Sequence, residues 1–457
     1  MGEGEDRGIM TSRPTRDALR GAGQAARSKL PPAALGSWRP AADRPDPVAL
    51  LQEQAATRVP ELIPVRYGRM SVSPFAFYRG AALPMAADLA PSPSTGIIVQ
   101  LCGDAHLSNF GLFASPEREE LFDINDFDET LRGPFEWDLR RLAASLVVAG
   151  RSRDFSAHDT RRAVHRAMRS YREHMAGYAP MRAIEVYYTW VDVASILTFV
   201  DKRARPMIEN AVRSASHHDS LHDLQKLTAI VDGKRVIVDR PPVIVHRDDV
   251  TNPLVAAVLT GYRESLQEDR RVLLDRYEIV DCAMKVVGIG SVGLEAFAVL
   301  LDGGSDDDPL FLQVKEAQAS VYERFIGPSN QPTHGARVVA GQRRLQAASD
   351  VLLGSAVGTR GRQLYIRQLQ DQKASAVVEA MTVDDLAAWG ELCGWALARG
   401  HARSGEPATI AGYLGEGADF DHAMGSFAET YADQTERDFA TFSAAIRSGR
   451  LSALTGV

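Results

Sequence analysis

Apolar residues follow two different periods along this chain, and the changeover divides it. Helical spacing dominates from Pro47 to about residue 278. Pro47 and Pro74 stand at helix starts, and Leu139, Leu142, Leu146 and Ala149 share one face, which predicts a core helix over 137–150. The same period continues over 158–178 and 180–200. Two short apolar runs, Gly96–Cys102 and Glu120–Asn125, interrupt it and read as buried strands. Alternation takes over at Thr228–Val238, which turns at Asp232-Gly233, and a helix is expected over 251–275. Asp281–Leu301 reads as strand, glycine-rich turn and strand. Leu310–Ala317 is a further strand, 336–346 a helix, and Gln363–Leu369 a last strand. Helical spacing returns over Leu386–Ala402 and Phe420–Ile446.

This pattern predicts an α+β protein of two lobes. One is mainly helical (47–278) and is completed by C-terminal helices (376–457); the other is β-rich (279–375). Residues 1–46, rich in Arg, Ala, Gly and Pro with little periodicity, read as a mobile tail in which Arg27, Lys29 and Arg39 are solvated. A chain of 457 residues supports two or three structural units. Its net charge of -7 gives no reason to expect nucleic-acid binding. The three cysteines, Cys102, Cys282 and Cys393, form no Cys-x-x-Cys pair, which speaks against a disulfide framework or a thiolate zinc site. No window approaches the roughly 18–20 apolar residues of a membrane span, and no secretory leader pattern opens the sequence, so a cytoplasmic protein is expected.

The chemistry concentrates in Leu101–Gly111 and Phe122–Glu129. Asp104 and Asn109 stand in the spacing Asp-x-x-x-x-Asn of a kinase loop, in which the Asp orients or deprotonates an acceptor hydroxyl and the Asn binds a metal ion. Asp126 is the second expected metal ligand, because phosphoryl transfer needs hard oxygen donors holding Mg2+ on the phosphates. His106 lies in the same loop as a further catalytic candidate. Arg66, Arg69 and Arg79 are candidates for an anionic ligand, or alternatively for bracing carboxylates such as Asp104 or Asp138.

In the β-rich lobe, Gly288-Ile-Gly-Ser-Val-Gly293 fits Gly-x-Gly-x-x-Gly, so Gly288, Gly290, Ser291 and Gly293 are candidate phosphate contacts. Dinucleotide folds use the same letters ahead of a helix. Here a strand follows, which favours the kinase type of turn. Lys315 sits inside an apolar strand, where a charge needs an anionic partner. Glu323 is the candidate partner within the chain, and Arg367, Gln368 and Lys373 are placed to reach a nucleotide. Tyr187, Tyr188 and Trp190 read as a packed helix contact rather than an acceptor pocket, and His217 and His218 as loop residues.

Cys102-Gly-Asp-Ala-His-Leu-Ser-Asn109 is similar to the His-Gly-Asp-x-His-x-x-Asn motif of aminoglycoside and choline phosphotransferases, with Cys102 where His is usual. Asn125-Asp-Phe-Asp128 resembles their metal strand, and Gly133–Leu146 resembles the start of the helix that follows it. From about Pro47 onward the chain also resembles a bacterial family of domain of unknown function 2252. The resemblance implies a protein-kinase-like fold, ATP and Mg2+ as cofactors, an unidentified hydroxyl acceptor, Lys315 on the nucleotide phosphates, and Asp138 behind the Asp104 loop. Leu386–Ala402 resembles the helix that precedes that loop in such enzymes, yet here it comes nearly three hundred residues after it, which implies a circular permutation. Two other readings stay open: a nucleotide-binding regulatory protein or AMP-transferring enzyme on the same fold, and a metal-dependent hydrolase using Asp104, His106, Asp123, Asp126 and Asp128.

Overall fold

The helix Phe135–Arg151 is buried from Phe135 through Gly150, around its whole circumference. That follows from a sequence apolar on most faces whose polar residues find internal partners. Arg140, for example, donates to the Leu35 carbonyl at 2.7 Å. Around it pack Ala157–Tyr178, Val383–Ser404 and Asp419–Arg447. Val383–Ser404 begins with a reciprocal cap between Thr382 and Asp385, which satisfies the free N–H groups of its first turn. It lies so close to Ala157–Tyr178 that a Cβ on Gly394 would stand 2.2 Å from the Ala167 carbonyl oxygen. The computed structural model describes residues 13–216, 224, 226–286, 288–305, 308–358, 361–369, 374–375 and 377–456. Residues 1–12, His217, His218 and Lys373 lie outside these.

The protein is a mixed α+β structure with several small antiparallel sheets. In the helical part, β1 (Ile98–Leu101) pairs with β4 (Leu131–Pro134), and β2 (Phe110–Ala114) with β3 (Glu120–Ile124). The hairpin β5 (Thr228–Val231) and β6 (Lys234–Ile237) turns on Asp232 and Gly233, both at positive φ. The main sheet has six strands: β7 (Ile244–Val245), β8 (Glu278–Lys285), β9 (Ala296–Asp302), β10 (Pro309–Glu316), β11 (Gly354–Val357) and β12 (Gln363–Gln368). Their order is β11-β12-β10-β9-β8-β7, with the helix His334–Leu345 inserted between β10 and β11. β13 (Ala374–Ser375) leaves this sheet and adds to β2.

Four expectations are corrected. Residues 13–46 are not a loose tail: Arg16–Lys29 is a helix capped by Thr15, and it packs on Pro407–Leu414. The small residues that blurred its periodicity form the contact, since a Cβ on Gly23 would stand 2.0 Å from the Thr409 carbonyl oxygen. Arg27 is not solvated at its head; it donates to the Tyr413 and Leu414 carbonyls and pairs with Asp419 at 2.7 Å. The helix expected over 180–200 breaks into Ala183–Tyr188 and Val193–Phe199, because Val191 is extended and accepts from the Phe122 N–H at 2.8 Å. Tyr187, Tyr188 and Trp190 are left more than half exposed rather than packed. The helix expected over 251–275 likewise divides into Asn252–Glu264 and Glu268–Leu274.

Gly394→Ala forces the two central helices apart at a carbonyl that cannot move aside. It is expected to destabilise the protein by roughly 1–3 kcal/mol in denaturant titration. An unchanged midpoint would show that the helices separate without cost.

Candidate functional site

β1 ends at Leu101, and the chain then loops through Asp104 to Asn109 before β2 begins. This loop is held from behind by the buried Asp138 in the first turn of the central helix, whose carboxylate accepts the Cys102 and Gly103 N–H groups at 2.8 and 3.0 Å. His401 adds to the brace, with Nε2 3.2 Å from Asp138 and Nδ1 2.9 Å from the Tyr171 hydroxyl. Asp104 itself accepts from Arg141 Nε at 2.8 Å, and the Arg141 guanidinium lies 3.8 Å from the Tyr78 ring centre. Asn109 Nδ2 donates to the Asp104 carbonyl at 2.8 Å, and the Asn109 carbonyl accepts from the Asn125 N–H at 2.8 Å. That last bond ties the Asp104 loop to the Asp126–Asp128 loop.

Asp128 joins the loop after β3 to the main sheet. Its carboxylate takes the Lys315 ammonium of β10, the Tyr365 hydroxyl of β12 at 2.8 Å and the Ser291 hydroxyl of the glycine turn at 2.9 Å. Lys315 thus has a carboxylate partner other than the expected Glu323. Glu323 lies instead 3.4 Å from Arg337 and 3.7 Å from His334. Arg337 is spent on the carbonyls of Asp128, Thr130 and Gln318. The glycine turn is pinned from the helical side as well: Arg58 donates to the Val292 carbonyl, Val59 N–H to Gly293, and Arg69 to Gly288 at 2.7 Å. Gly288 and Gly293 are at positive φ, which suits glycine there.

Asp104, His106, Asn109, Asp126, Asp128, Gly288, Gly290, Ser291, Arg66 and Arg79 all line one cleft of about 620 Å³. Lys315 lies buried behind Asp128. The residues not brought to the cleft wall are Gly293, Arg69, Asp138, Arg367 and Gln368. Arg367 donates to Gln313 and the Asn125 carbonyl, and Gln368 is held by Asp350. Asp123 is fully buried and paired with Arg399, which removes it from the acidic set of the hydrolase reading. Among the described residues no group of three or more His, Cys, Asp and Glu is arranged to hold a metal ion. The end of Val383–Ser404 abuts β1, with Ser404 Oγ accepting the Gln100 N–H at 3.1 Å. Residues some three hundred positions apart in sequence are therefore spatially continuous.

Burial dominates the electrostatics. It raises the Asp104 pKa, with Arg141 and Arg79 pulling the other way. Burial and then the Asp128 charge raise Asp126. Asp128 is lowered despite burial, because Lys315, Tyr365 and Ser291 stabilise its charge. Burial works against the Lys315 ammonium, but Asp128, with Tyr365 and Asp126, more than compensates and raises its pKa. Burial, then Arg79 and Arg141, push His106 well below the ordinary range and keep the imidazole neutral. Glu129, which also lines the cleft, is pushed up by burial to about 7.

Sequence reasoning missed Arg58, Glu129, Arg141 and Tyr365. Arg141 carried a usable signal, a cation inside a helix apolar on most faces. Arg58 carried none, since it lies in a turn whose closeness to the glycines depends on the tertiary fold.

The chain belongs to the DUF2252 family, described as an uncharacterized protein conserved in bacteria, whose model matches residues 58–445. Comparisons with curated proteins and with solved structures gave no match. Among the described residues no helix is long and apolar enough to cross a membrane.

Two stability measurements follow from the site. Below about pH 4.5 Glu129 is protonated whether the chain is folded or not, and its burial costs nothing in ionisation. Between about pH 4.5 and 7 the unfolded chain gives up this proton while the folded chain keeps it, so stability falls by roughly 3 kcal/mol across that window and levels off above it. Glu129→Gln should flatten this decline, and an unchanged slope between pH 5 and 8 would assign it to other groups. Asp128→Asn leaves the buried Lys315 without its counter-charge and is expected to cost about 3–5 kcal/mol in chemical denaturation. A loss below about 1 kcal/mol would mean that another acid takes over.

Proposed function

We propose that this protein is a circularly permuted, protein-kinase-like phosphotransferase that uses ATP and Mg2+ on a hydroxyl acceptor. The observation that carries the proposal is the convergence on one cleft of the Asp104–Asn109 loop, the Asp126–Asp128 loop and the glycine turn backed by the Lys315 strand. The strand succession supports it further: two strands flanking a glycine turn, a lysine strand, a helix and two more strands are the parts of a kinase nucleotide lobe. The abutment of Ser404 on β1 supports the permutation, because it restores in space the helix-to-loop continuity that the sequence order breaks.

In this reading the acceptor oxygen attacks the terminal phosphorus, the bond from that phosphorus to the bridging oxygen of ADP breaks, and Asp104 receives the hydroxyl proton. Asp104 suits the task because burial keeps its carboxylate more basic than usual while Arg141 fixes its orientation. Asn109 and Asp126 would hold Mg2+ through hard oxygen donors, one or two protein ligands being enough for this ion. Bound there, it would neutralise phosphate charge. Lys315 and the glycine turn would hold the phosphates, and catalysis would come from positioning and charge neutralisation.

One observation favours the second reading, a regulatory or AMP-transferring protein on the same fold. Lys315 and Ser291 are both engaged by Asp128, an arrangement that a nucleotide must reorganise.

Calorimetry with ATP, with and without Mg2+, tests both. Metal-dependent binding is expected in the wild type, with a loss of at least tenfold in Asp126→Ala and Lys315→Met, and ADP should be the product. AMP as product would favour the second reading, and an absence of nucleotide binding would sink both.

A further inference from the structure

The wall of the cleft beside Asp104 carries three arginines whose donors are not all satisfied, although carboxylates including Asp104, Asp128 and Glu129 line the same cleft. Arg66 is fully buried. Its Nη2 donates to Gln54 at 2.6 Å and to the Gly80 carbonyl at 3.0 Å, while Nε and Nη1 find no acceptor. Arg58, only 8% exposed, spends one N–H on the Val292 carbonyl and leaves Nε without an acceptor. Arg79 Nε is likewise buried and unpaired. All three side chains line the cleft, and none forms an ion pair with a described residue. Arg141, by contrast, has Asp104, and Arg44 has Asp88 and Asp438.

Burial disfavours the charge on each of the three arginines and Arg58 adds to this at Arg66, while Glu129 for Arg58 and Arg66, and Asp104 for Arg79, pull the other way without making an ion pair. Desolvated guanidinium groups with orphaned donors are costly to a fold. An oxyanion in the cleft that reaches their N–H groups offsets this cost, because the planar fork of donors matches phosphate oxygens. The nucleotide phosphates already have candidate partners in Lys315, the glycine turn and the metal ligands. The arginines come from the helical side, from the turn before Pro60 and from Ile63–Met70 and Pro74–Arg79. Arg79 also feels the charge of Asp104, the residue placed at the acceptor.

We propose that Arg58, Arg66 and Arg79 form an anion subsite that takes a phosphate group already present on the acceptor, so that the substrate is a phosphomonoester bearing a free hydroxyl. The assignment to an acceptor rests on the phosphotransferase reading; the anion subsite does not.

The test is calorimetry on the full chain with inorganic phosphate as probe, alone and with saturating ADP and Mg2+. Phosphate is expected to bind in both conditions and at least tenfold more weakly in Arg66→Met and Arg79→Gln, with ADP affinity within twofold of wild type. Circular dichroism checks the fold of each variant. Should the buried Arg66→Met fail to fold, Arg79→Gln on its partly buried site carries the comparison. Lys315→Met should lose nucleotide but keep phosphate. Phosphate binding without any nucleotide binding in the wild type would leave the subsite standing and remove the phosphotransferase reading. Phosphate that competes with ATP but not with ADP would assign the arginines to the terminal phosphate of the nucleotide and overturn the acceptor proposal. Absent phosphate binding, or binding unaltered in the folded variants, would overturn the subsite itself.

Discussion

A partly buried carboxylate must find donors or it draws water into the contact, and Asp128, in the loop after β3, finds most of its donors on the main sheet and the glycine turn. Its donors are an ammonium from β10, a phenol from β12 and a hydroxyl from the glycine turn. The charge pair keeps Lys315 ionised in an apolar strand, and the neutral donors complete the coordination of the oxygens, which is the condition under which a buried ion pair is tolerable. The position of the sheet over the Asp104 loop therefore depends on one side chain. It also separates two neighbouring acids: burial and the Asp128 charge raise Asp126, whereas Asp128, with its donors, is lowered.

The second constraint is the rigidity of the Asp104 loop. Asp138, His401 and Tyr171 form a buried polar chain behind it, Tyr322 donates to the Gly103 carbonyl, and Arg141 holds the Asp104 carboxylate from the side. Every member comes from a helix or from a segment packed on one. A loop built this way has few alternative conformations, so the carboxylate is oriented before any ligand arrives.

Much of this was legible in the sequence, for physical reasons that differ by element. The central helix, β1, β3, β8–β10 and β12 follow from strong periodicity and from apolar runs bounded by turn residues. Asp104, Asn109, Asp126 and Ser291 stood out by their short spacings in two motifs, and all four line the cleft. What failed was set by tertiary contact. Asp128, not Glu323, meets Lys315 because the chain beyond Asp126 turns toward the sheet. Arg16–Lys29 orders because glycines allow two helices to approach closely, and glycines lower the local signal for a helix at the same time. The 180–200 segment breaks because Val191 is claimed by β3.

The contact between Ser404 and Gln100 has a consequence for how the molecule is made. β1 and the Asp104 loop leave the ribosome early, whereas the helix that closes behind them is synthesised some three hundred residues later. At roughly 5–20 residues per second the loop waits on the order of 15–60 s for its support. A chain interrupted between residues 363 and 383 contains every residue of the cleft wall and lacks the helix Val383–Ser404 that stiffens it, so the site matures only after that helix has been made.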